Sequence, residues 1–171
     1  MLKCGLLGEK LGHSYSPQIH AYLDSYEYRL YEKKPEEVES FLKDGDWDAL
    51  NVTIPYKKLA ASMCDEVSEI VKTLASANTL VKKDGKIYGY NTDYFGFMSM
   101  VQKSGIELEG KKALVLGSGG ASVTVCTVLK KLGAKPVVIS RSGQSNYTNL
   151  YIHSDAGIIV NATPAGMYPA N

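Results

Sequence analysis

The most informative stretch of the chain is residues 113–122, which read Ala113-Leu114-Val115-Leu116-Gly117-Ser118-Gly119-Gly120-Ala121-Ser122. The four leading apolar residues predict a buried strand, and the glycines that follow predict a tight turn. Apolar spacing over 123–132 then predicts a helix, and the valine-rich segment 136–139 predicts a second strand. A strand, a helix and a strand in this order form a unit with parallel strands and a right-handed crossover.

The turn at 117–122 has the features of a phosphate-binding loop. Backbone amides and the amino end of the following helix are suited to hold a pyrophosphate, although Ser122 replaces the third glycine of the usual fingerprint. A tight turn without a ligand is the alternative. The next strand ends in Ser140-Arg141-Ser142, whereas an NAD site would present a carboxylate there, so we expect the 2′-phosphate of NADP. The predicted cofactor-binding residues of this region are Gly117, Ser118, Gly119, Gly120, Ala121, Ser122, Ser140, Arg141 and Ser142.

The part of the chain before this unit alternates predicted strands with predicted helices. Strands are expected at 2–7, 28–31 and 49–54, and helices at 17–23, 35–44, 56–63, 67–74 and 94–101. Segments 79–82 and 87–90 flank Asp84-Gly85 and predict a hairpin. We place the boundary near 104–110, which gives domains at 1–104 and 105–171. The expected fold class is α/β, with an N-terminal α/β domain containing a mostly parallel sheet, followed by a Rossmann domain.

Composition and charge exclude several classes of protein. The 171 residues contain 19 Lys and Arg against 18 Asp and Glu, so a net charge of +1 provides no extended field for nucleic acid or an acidic membrane. No run of about 18 apolar residues occurs, which argues against a membrane span. The cysteines Cys4, Cys64 and Cys126 are odd in number and widely spaced. This number and spacing favour free thiols, which are typical of a reducing compartment, so we expect a cytoplasmic location. We expect no metal site.

Polar clusters in the N-terminal domain predict a site for a small molecule. Ser14-Tyr15-Ser16 precedes a predicted helix, and Asn51 to Lys57 ends a predicted strand with a hydroxyl and an amine. Asn78 and Asp93 lie at the two ends of the hairpin, which adjacent strands would bring together. A lysine beside a carboxylate can deliver a proton to an alkoxide formed from a ketone, so Lys57 and Asp93 are the predicted pair. The alternatives are helix caps at Ser16 and Asp93, and a solvent-exposed lysine.

Several short motifs occur in a fixed order along the chain. They are Gly8-Glu9-Lys10-Leu11-Gly12-His13-Ser14-Tyr15-Ser16-Pro17 with His20, Asn51-Val52-Thr53-Ile54-Pro55-Tyr56-Lys57, Asn78-Thr79, Asn91-Thr92-Asp93, Gly117 to Ser122, and Asn161-Ala162-Thr163-Pro164-Ala165-Gly166-Met167. Taken together, these motifs resemble the shikimate dehydrogenase family over nearly the whole chain. The resemblance implies NADP-dependent reduction of 3-dehydroshikimate to shikimate in aromatic amino acid biosynthesis. It makes the first domain the substrate-binding domain and the second the NADP-binding Rossmann domain.

The resemblance also implies roles for particular residues. Ser14, Ser16, Thr53 and Asn78 would bind the substrate, Lys57 and Asp93 would form the catalytic dyad, and Thr163 and Met167 would lie near the nicotinamide. Quinate or an aminoshikimate is the alternative substrate. A non-catalytic module that binds NADP or shikimate is the alternative from another class of protein.

The chain departs from the family's pattern in its second domain. Complete relatives continue beyond the position of Met167, so the Rossmann domain is expected to be truncated at its carboxyl end. Only 20 positions separate Arg141 from Asn161, where many relatives have a crossover helix, and residues 143–153 are expected to form a loop. Apolar surface left open by the missing helices predicts self-association, with a homodimer as one form.

Overall fold

Strands alternate with helices along most of the chain in the computed structural model, which describes residues 1–23 and 26–166. The strands are β1 (Lys3–Gly8), β2 (Glu27–Glu32), β3 (Ala49–Val52), β4 (Glu66–Val67), β5 (Thr79–Lys83), β6 (Lys86–Tyr90), β7 (Lys112–Leu116), β8 (Lys135–Ile139) and β9 (Ile158–Asn161). The helices are α1 (Ser16–Ala21), α2 (Pro35–Asp44), α3 (Lys57–Ser62), α4 (Glu69–Leu74), α5 (Thr92–Ser104), α6 (Gly120–Lys131) and a 3-10 helix at Leu150–His153. The chain forms two compact units, a first unit at Met1–Thr92 and a second unit that begins at Asp93.

The first unit is built on one mixed sheet with the strand order β2-β1-β3-β5-β6-β4. β1 runs parallel to both β2 and β3, and β4 runs parallel to β6, whereas β5 is antiparallel to β3 and β6. Three of the five strand pairs are therefore parallel, and the predicted mostly parallel sheet is confirmed. One face of this sheet buries a core of aliphatic side chains that includes Leu7, Leu50, Val52, Leu80, Val38 and Leu42.

Helix α2 illustrates how local sequence sets an element of this unit. Pro35 begins the helix, where its missing amide hydrogen has no cost, and the Lys34 amide donates to Glu37 Oε2 at 2.8 Å. Gly45 ends the helix and donates its amide to the Phe41 carbonyl. Val38, one turn before Leu42, is fully buried on the face toward the sheet. The predicted helix and its limits are confirmed.

The hairpin of β5 and β6 closes on a two-residue turn. Asp84 and Gly85 have φ values of +51° and +74°, and the flanking pair is Lys83 and Lys86. A turn with positive φ at two successive residues has the same twist as its flanking strands. Glycine adopts a positive φ at no steric cost. At the far end of the hairpin the Asn78 amide donates to the Tyr90 carbonyl at 3.0 Å. The predicted hairpin is confirmed, and it brings Asn78 beside the start of α5.

The second unit contains a parallel sheet with the strand order β8-β7-β9. Helix α6 connects β7 to β8, as expected for the strand, helix and strand unit. Ala113 and Val115 of β7 pack against Val125 and Leu129 of α6 in a separate apolar core. The predicted parallel crossover unit is confirmed, and its glycine turn lies at the carboxyl ends of the strands.

Some local expectations were wrong. Ser16 is the first residue of α1 rather than its cap, because Tyr15 already has helical dihedral angles of −86° and 0°. Asp93 is not the residue before a helix, since α5 begins at Thr92. The short strand β4 was not predicted, and the expected loop at 143–153 ends in a 3-10 helical turn.

The described part of the chain offers no membrane span and no metal cluster. In residues 1–23 and 26–166, no helix combines the length and the hydropathy needed to cross a membrane. Within the same ranges, no three His, Cys, Asp or Glu side chains lie close enough to hold a metal ion.

Candidate functional site

The second unit has a cavity of about 480 Å³ at the carboxyl ends of its strands. Its lining comes from the glycine turn, the end of β8, the loop that follows β8, and the segment after β9. The lining residues are Gly117, Ser118, Gly119, Ser140, Arg141, Tyr147, Ala162, Thr163, Pro164 and Ala165. Ligands of open parallel sheets bind at this end of the strands, so the position is that of a cofactor site.

The glycine turn has the geometry of a pyrophosphate cradle. Gly117 has φ of +102°, and a Cβ there would lie 3.0 Å from the Ala162 carbonyl oxygen, so a side chain is strongly disfavoured. A Cβ at Gly119 or Gly120 would meet no atom within 4 Å, which leaves open space above the turn. Gly119 precedes α6 without a capping side chain, and the Ser122 amide donates to the Gly119 carbonyl, so the amides of Gly120 and Ala121 are the ones suited to an anion. These features fit the pyrophosphate of a dinucleotide.

Ser140 and Arg141 follow directly on the last residue of β8. Both residues line the cavity, and Arg141 is exposed. The Ser140 amide donates to the Ser145 carbonyl at 3.2 Å, which fixes the chain as it leaves β8. A guanidinium and a hydroxyl at the tip of this strand are chemically suited to a phosphate on the adenosine ribose. Ser142 is exposed and does not line the cavity.

The segment after β9 forms the remaining wall. Thr163 donates its amide and its hydroxyl to Asn161 Oδ1, at 3.0 and 2.6 Å. The Asn161 amide group donates in turn to the Ala165 carbonyl at 2.9 Å. These bonds hold a compact turn beside Gly117. Met167, which was also predicted to bind the cofactor, lies outside the described residues.

Three other predicted cofactor residues do not line the cavity. Gly120 and Ala121 are exposed in the first turn of α6. Ser122 is 2% exposed and lies along a different groove, where it contacts Cys126. Burial raises the pKa of Cys126, and the hydrogen bond with Ser122 opposes that shift. Ser122 therefore occupies the third fingerprint position as a packing residue of α6.

In the first unit, Ser14 and Ser16 lie together at the start of α1. The Ser16 amide donates to Ser14 Oγ at 3.2 Å. Burial raises the pKa of Tyr28 to about 12, and hydrogen bonding with the Ser16 hydroxyl acts in the opposite direction. Tyr28 also donates its hydroxyl to Asn51 Oδ1 at 2.8 Å. The predicted serine cluster is thus connected through Tyr28 to the polar end of β3.

Thr53 and Lys57 follow β3 closely. The Thr53 amide donates to the Leu7 carbonyl at 2.9 Å, and its own carbonyl accepts from the Tyr56 amide. Lys57 is the first residue of α3 and is half-buried. Its carbonyl accepts from the Ala77 amide at 2.9 Å, so its backbone lies next to the residue that precedes Asn78.

Asn78 is buried and is hydrogen-bonded to the start of α5. Its Oδ1 accepts from the Thr92 amide at 2.9 Å, and its Nδ2 donates to Thr92 Oγ1 at 2.9 Å. Asn91 is 1% exposed and donates Nδ2 to the Ser76 carbonyl. Both ends of the hairpin are therefore fixed, and the fixed residue Thr92 directly precedes Asp93. Lys57 and Asp93 belong to different units, so their pairing stays a prediction.

Sequence reasoning did not single out two features of these surfaces. A cavity of about 200 Å³ lies under α1 in the first unit, with His20, Tyr28 and Asn51 in its wall, and none of the predicted substrate-binding residues lines it. Tyr147 lines the larger cavity of the second unit. It lies in a polar loop, and the two tyrosines of that loop, Tyr147 and Tyr151, were the available signal.

A cavity at the ends of parallel strands, a glycine turn and a cation at the next strand together define a dinucleotide-binding α/β protein with a second α/β unit. Residues 6–80 match the family model described as the shikimate dehydrogenase substrate binding domain. The shikimate dehydrogenase (NADP(+)) of Clostridium perfringens strain 13 is 39% identical over 96% of this chain and 69% of its own length. The chain belongs to the shikimate dehydrogenase family, as the sequence motifs predicted.

Solved structures agree with this membership. Shikimate dehydrogenase 1 from Peptoclostridium difficile superposes with a TM-score of 0.89 at 36% identity, covering 99% of this chain and 70% of that one. The enzyme from Thermus thermophilus in complex with NADP(H) and shikimate gives a TM-score of 0.84 at 30% identity, covering 96% and 69%. The predicted fold class, an α/β substrate domain followed by a Rossmann domain, is confirmed.

Proposed function

We propose that the protein catalyses the NADP-dependent, reversible reduction of 3-dehydroshikimate to shikimate. The observation that carries this proposal is the cavity of the second unit, which combines the open glycine turn at 117–119 with Arg141 at the tip of β8. The glycine turn supports the binding of a pyrophosphate, and Arg141 supports the binding of a 2′-phosphate. The Thermus thermophilus relative is named as a complex with both NADP(H) and shikimate, which supports the same pair of ligands here.

The chain's own residues would bind and orient the substrate and move one proton. Ser14, Ser16, Thr53 and Asn78 are the proposed substrate-binding residues. When bound, NADPH would supply the hydride that reduces the ring carbonyl carbon. Lys57 would donate a proton to the carbonyl oxygen as it becomes an alkoxide, and Asp93 would orient the ammonium group. Thr163 is proposed to lie beside the nicotinamide, and Gly117, Ser118 and Gly119 beside the pyrophosphate.

The direct test is the absorbance of reduced nicotinamide after mixing the protein with shikimate and NADP. We expect NADPH to form. It should form faster than NADH does when NAD is supplied, because only NADP carries the 2′-phosphate that Arg141 is proposed to bind. Quinate in place of shikimate tests the alternative substrate. Binding of shikimate or NADP without any turnover would favour the non-catalytic module and contradict the proposal.

Replacing Lys57 tests the proposed proton donor. Lys57→Ala is expected to lower kcat by about 100- to 10,000-fold, because positioned acid-base groups contribute rate factors of that size. Shikimate should still bind, since the hydroxyl and amide groups of the site remain, and calorimetric titration measures this separately.

The matched control for that variant is Lys58→Ala. Lys58 is the next residue of α3 and is exposed, so its loss removes the same charge from the same helix. Its kcat should stay within about twofold of the parent, as surface substitutions usually have small effects. Equal losses in the two variants, or full activity of Lys57→Ala, would show that Lys57 is not the proton donor.

We also propose a cytoplasmic location and a homodimer as one assembly state. Cys4, Cys64 and Cys126 are all free thiols, which is the usual state of cysteines in a reducing compartment. Cell fractionation followed by immunoblotting tests the location. A signal confined to the membrane or secreted fraction would contradict it.

A further inference from the structure

We propose that Tyr147 binds the adenine ring of NADP by stacking, so that the loop between β8 and β9 supplies the adenine-binding surface. The inference rests on the proposed function and extends its cofactor site to a residue outside every motif of the sequence. Tyr147 would be a cofactor-binding residue without a part in proton or hydride transfer.

Tyr147 lies in the wall of the proposed cofactor cavity. It lines the same cavity as the glycine turn and Arg141, and among the described lining residues it alone is aromatic. Tyr147 is half-exposed, so it is accessible to a ligand in the cavity. The neighbouring Tyr151 is 75% exposed and does not line the cavity.

The loop around Tyr147 is held by its own hydrogen bonds. The Asn146 amide donates to Asn149 Oδ1 at 2.8 Å, and Asn146 Nδ2 donates to the Gly143 carbonyl at 3.2 Å. Asn146 Oδ1 accepts from the Thr148 amide at 2.9 Å. Residues on both sides of Tyr147 are therefore fixed. A loop backbone that is ordered before binding loses less conformational entropy when a ligand binds to it.

The covalent structure of NADP keeps adenine close to the 2′-phosphate. Its 2′-phosphate is attached to the ribose that carries adenine, so the adenine site must lie one sugar away from the group that binds this phosphate. Arg141 and Tyr147 belong to the same short loop and line the same cavity. Bases stack on aromatic side chains, and removing such a side chain typically weakens binding by about 5- to 100-fold.

The test uses adenosine 2′,5′-bisphosphate, which contains adenine and the 2′-phosphate and has no nicotinamide. Its dissociation constant is measured by isothermal titration calorimetry on the full chain and on three variants. Tyr147→Ala is expected to weaken binding by about 5- to 100-fold. Tyr147→Phe should retain affinity within about twofold, since stacking needs the ring and not the hydroxyl. Tyr151→Ala is the control and should bind like the parent.

A spectroscopic signature separates stacking from a change in loop structure. With the bisphosphate bound, nuclear Overhauser effects should connect the Tyr147 ring protons to adenine H2 or H8. The inference is overturned if Tyr147→Ala binds as well as the parent, if Tyr151→Ala loses as much affinity, or if the parent does not bind the bisphosphate. Weakened binding by Tyr147→Ala in a protein that does not oxidise shikimate would support the inference while contradicting the proposed catalytic function.

Discussion

His20 occupies an unusual environment for a titrating side chain. Its ring stacks on Tyr28 with centroids 3.8 Å apart and an interplanar angle of 12°, and its Nδ1 is hydrogen-bonded to the Tyr26 hydroxyl. Burial lowers the pKa of His20 from 6.5, and hydrogen bonding with Asn51 partly opposes that shift. The folded structure therefore disfavours a proton on this imidazole relative to the unfolded chain.

The lowered pKa of His20 predicts a pH-dependent stability. Below pH 6.5 the unfolded chain takes up a proton at His20 before the folded chain does. The free energy of unfolding should therefore fall as the pH is lowered from 6.5 toward the folded pKa, and should be insensitive to this group at higher pH. Urea unfolding at several pH values measures the effect, and a proton NMR titration gives the pKa directly. His20→Gln should lose this part of the pH dependence; an unchanged profile, or a pKa at or above 6.5, would contradict the assignment.

The elements that sequence predicted well are those with strong local signals. The strand, helix and strand of 112–139 carry long apolar patterns on both sides of a glycine turn, and Asp84-Gly85 permits the backbone of a tight hairpin. Strand β4 is different, because its two residues are too few to show an alternation and it exists through pairing with β6. Long-range pairing of this kind leaves no trace in a local pattern.

The candidate site likewise contains residues that local sequence predicted and residues that it did not. The places of Gly117 and Arg141 on the cavity wall were predictable because both residues belong to a strand, helix and strand unit that local sequence indicates. The register of the hairpin predicted that Asn78 lies close to Thr92, but it did not predict the hydrogen bonds between them. Tyr147 was not predicted, because its approach to the cavity depends on the folded path of a loop without a repeating pattern.

Two glycines in different elements should respond oppositely to the same substitution. Gly85→Ala forces a Cβ into a left-handed turn position and should destabilise the protein by about 1–2 kcal/mol. Gly96 lies inside α5, and a Cβ there would meet no atom within 4 Å, so Gly96→Ala should stabilise by about 0.5–1 kcal/mol. Chemical denaturation of both variants measures the changes. Changes of the same sign would contradict this account of the hairpin turn.

The surface of the first unit predicts the behaviour of the molecule in solution. Ile19, Tyr22 and Leu23 in and after α1 are 56%, 92% and 67% exposed. Apolar side chains grouped this closely on a surface favour association. Sedimentation velocity should show a mass above the 18.6 kDa of one chain, rising with concentration. Ile19→Ser should reduce the association and Tyr151→Ser should not, whereas a single 18.6 kDa species at every concentration would contradict the proposed homodimer.

Strand β8 lies at an edge of its sheet and disfavours association by the addition of another strand there. The Lys135 amide donates to the Lys111 carbonyl, on the side of β7. Backbone groups along a strand point to its two sides in alternation, so those of positions 136 and 138 face away from β7. Position 136 is a proline, which has no hydrogen to donate. A strand added to this edge would lack one hydrogen-bond donor near the start of β8, which disfavours pairing there. Association through the exposed side chains of α1 is therefore favoured over strand pairing along this edge of the sheet.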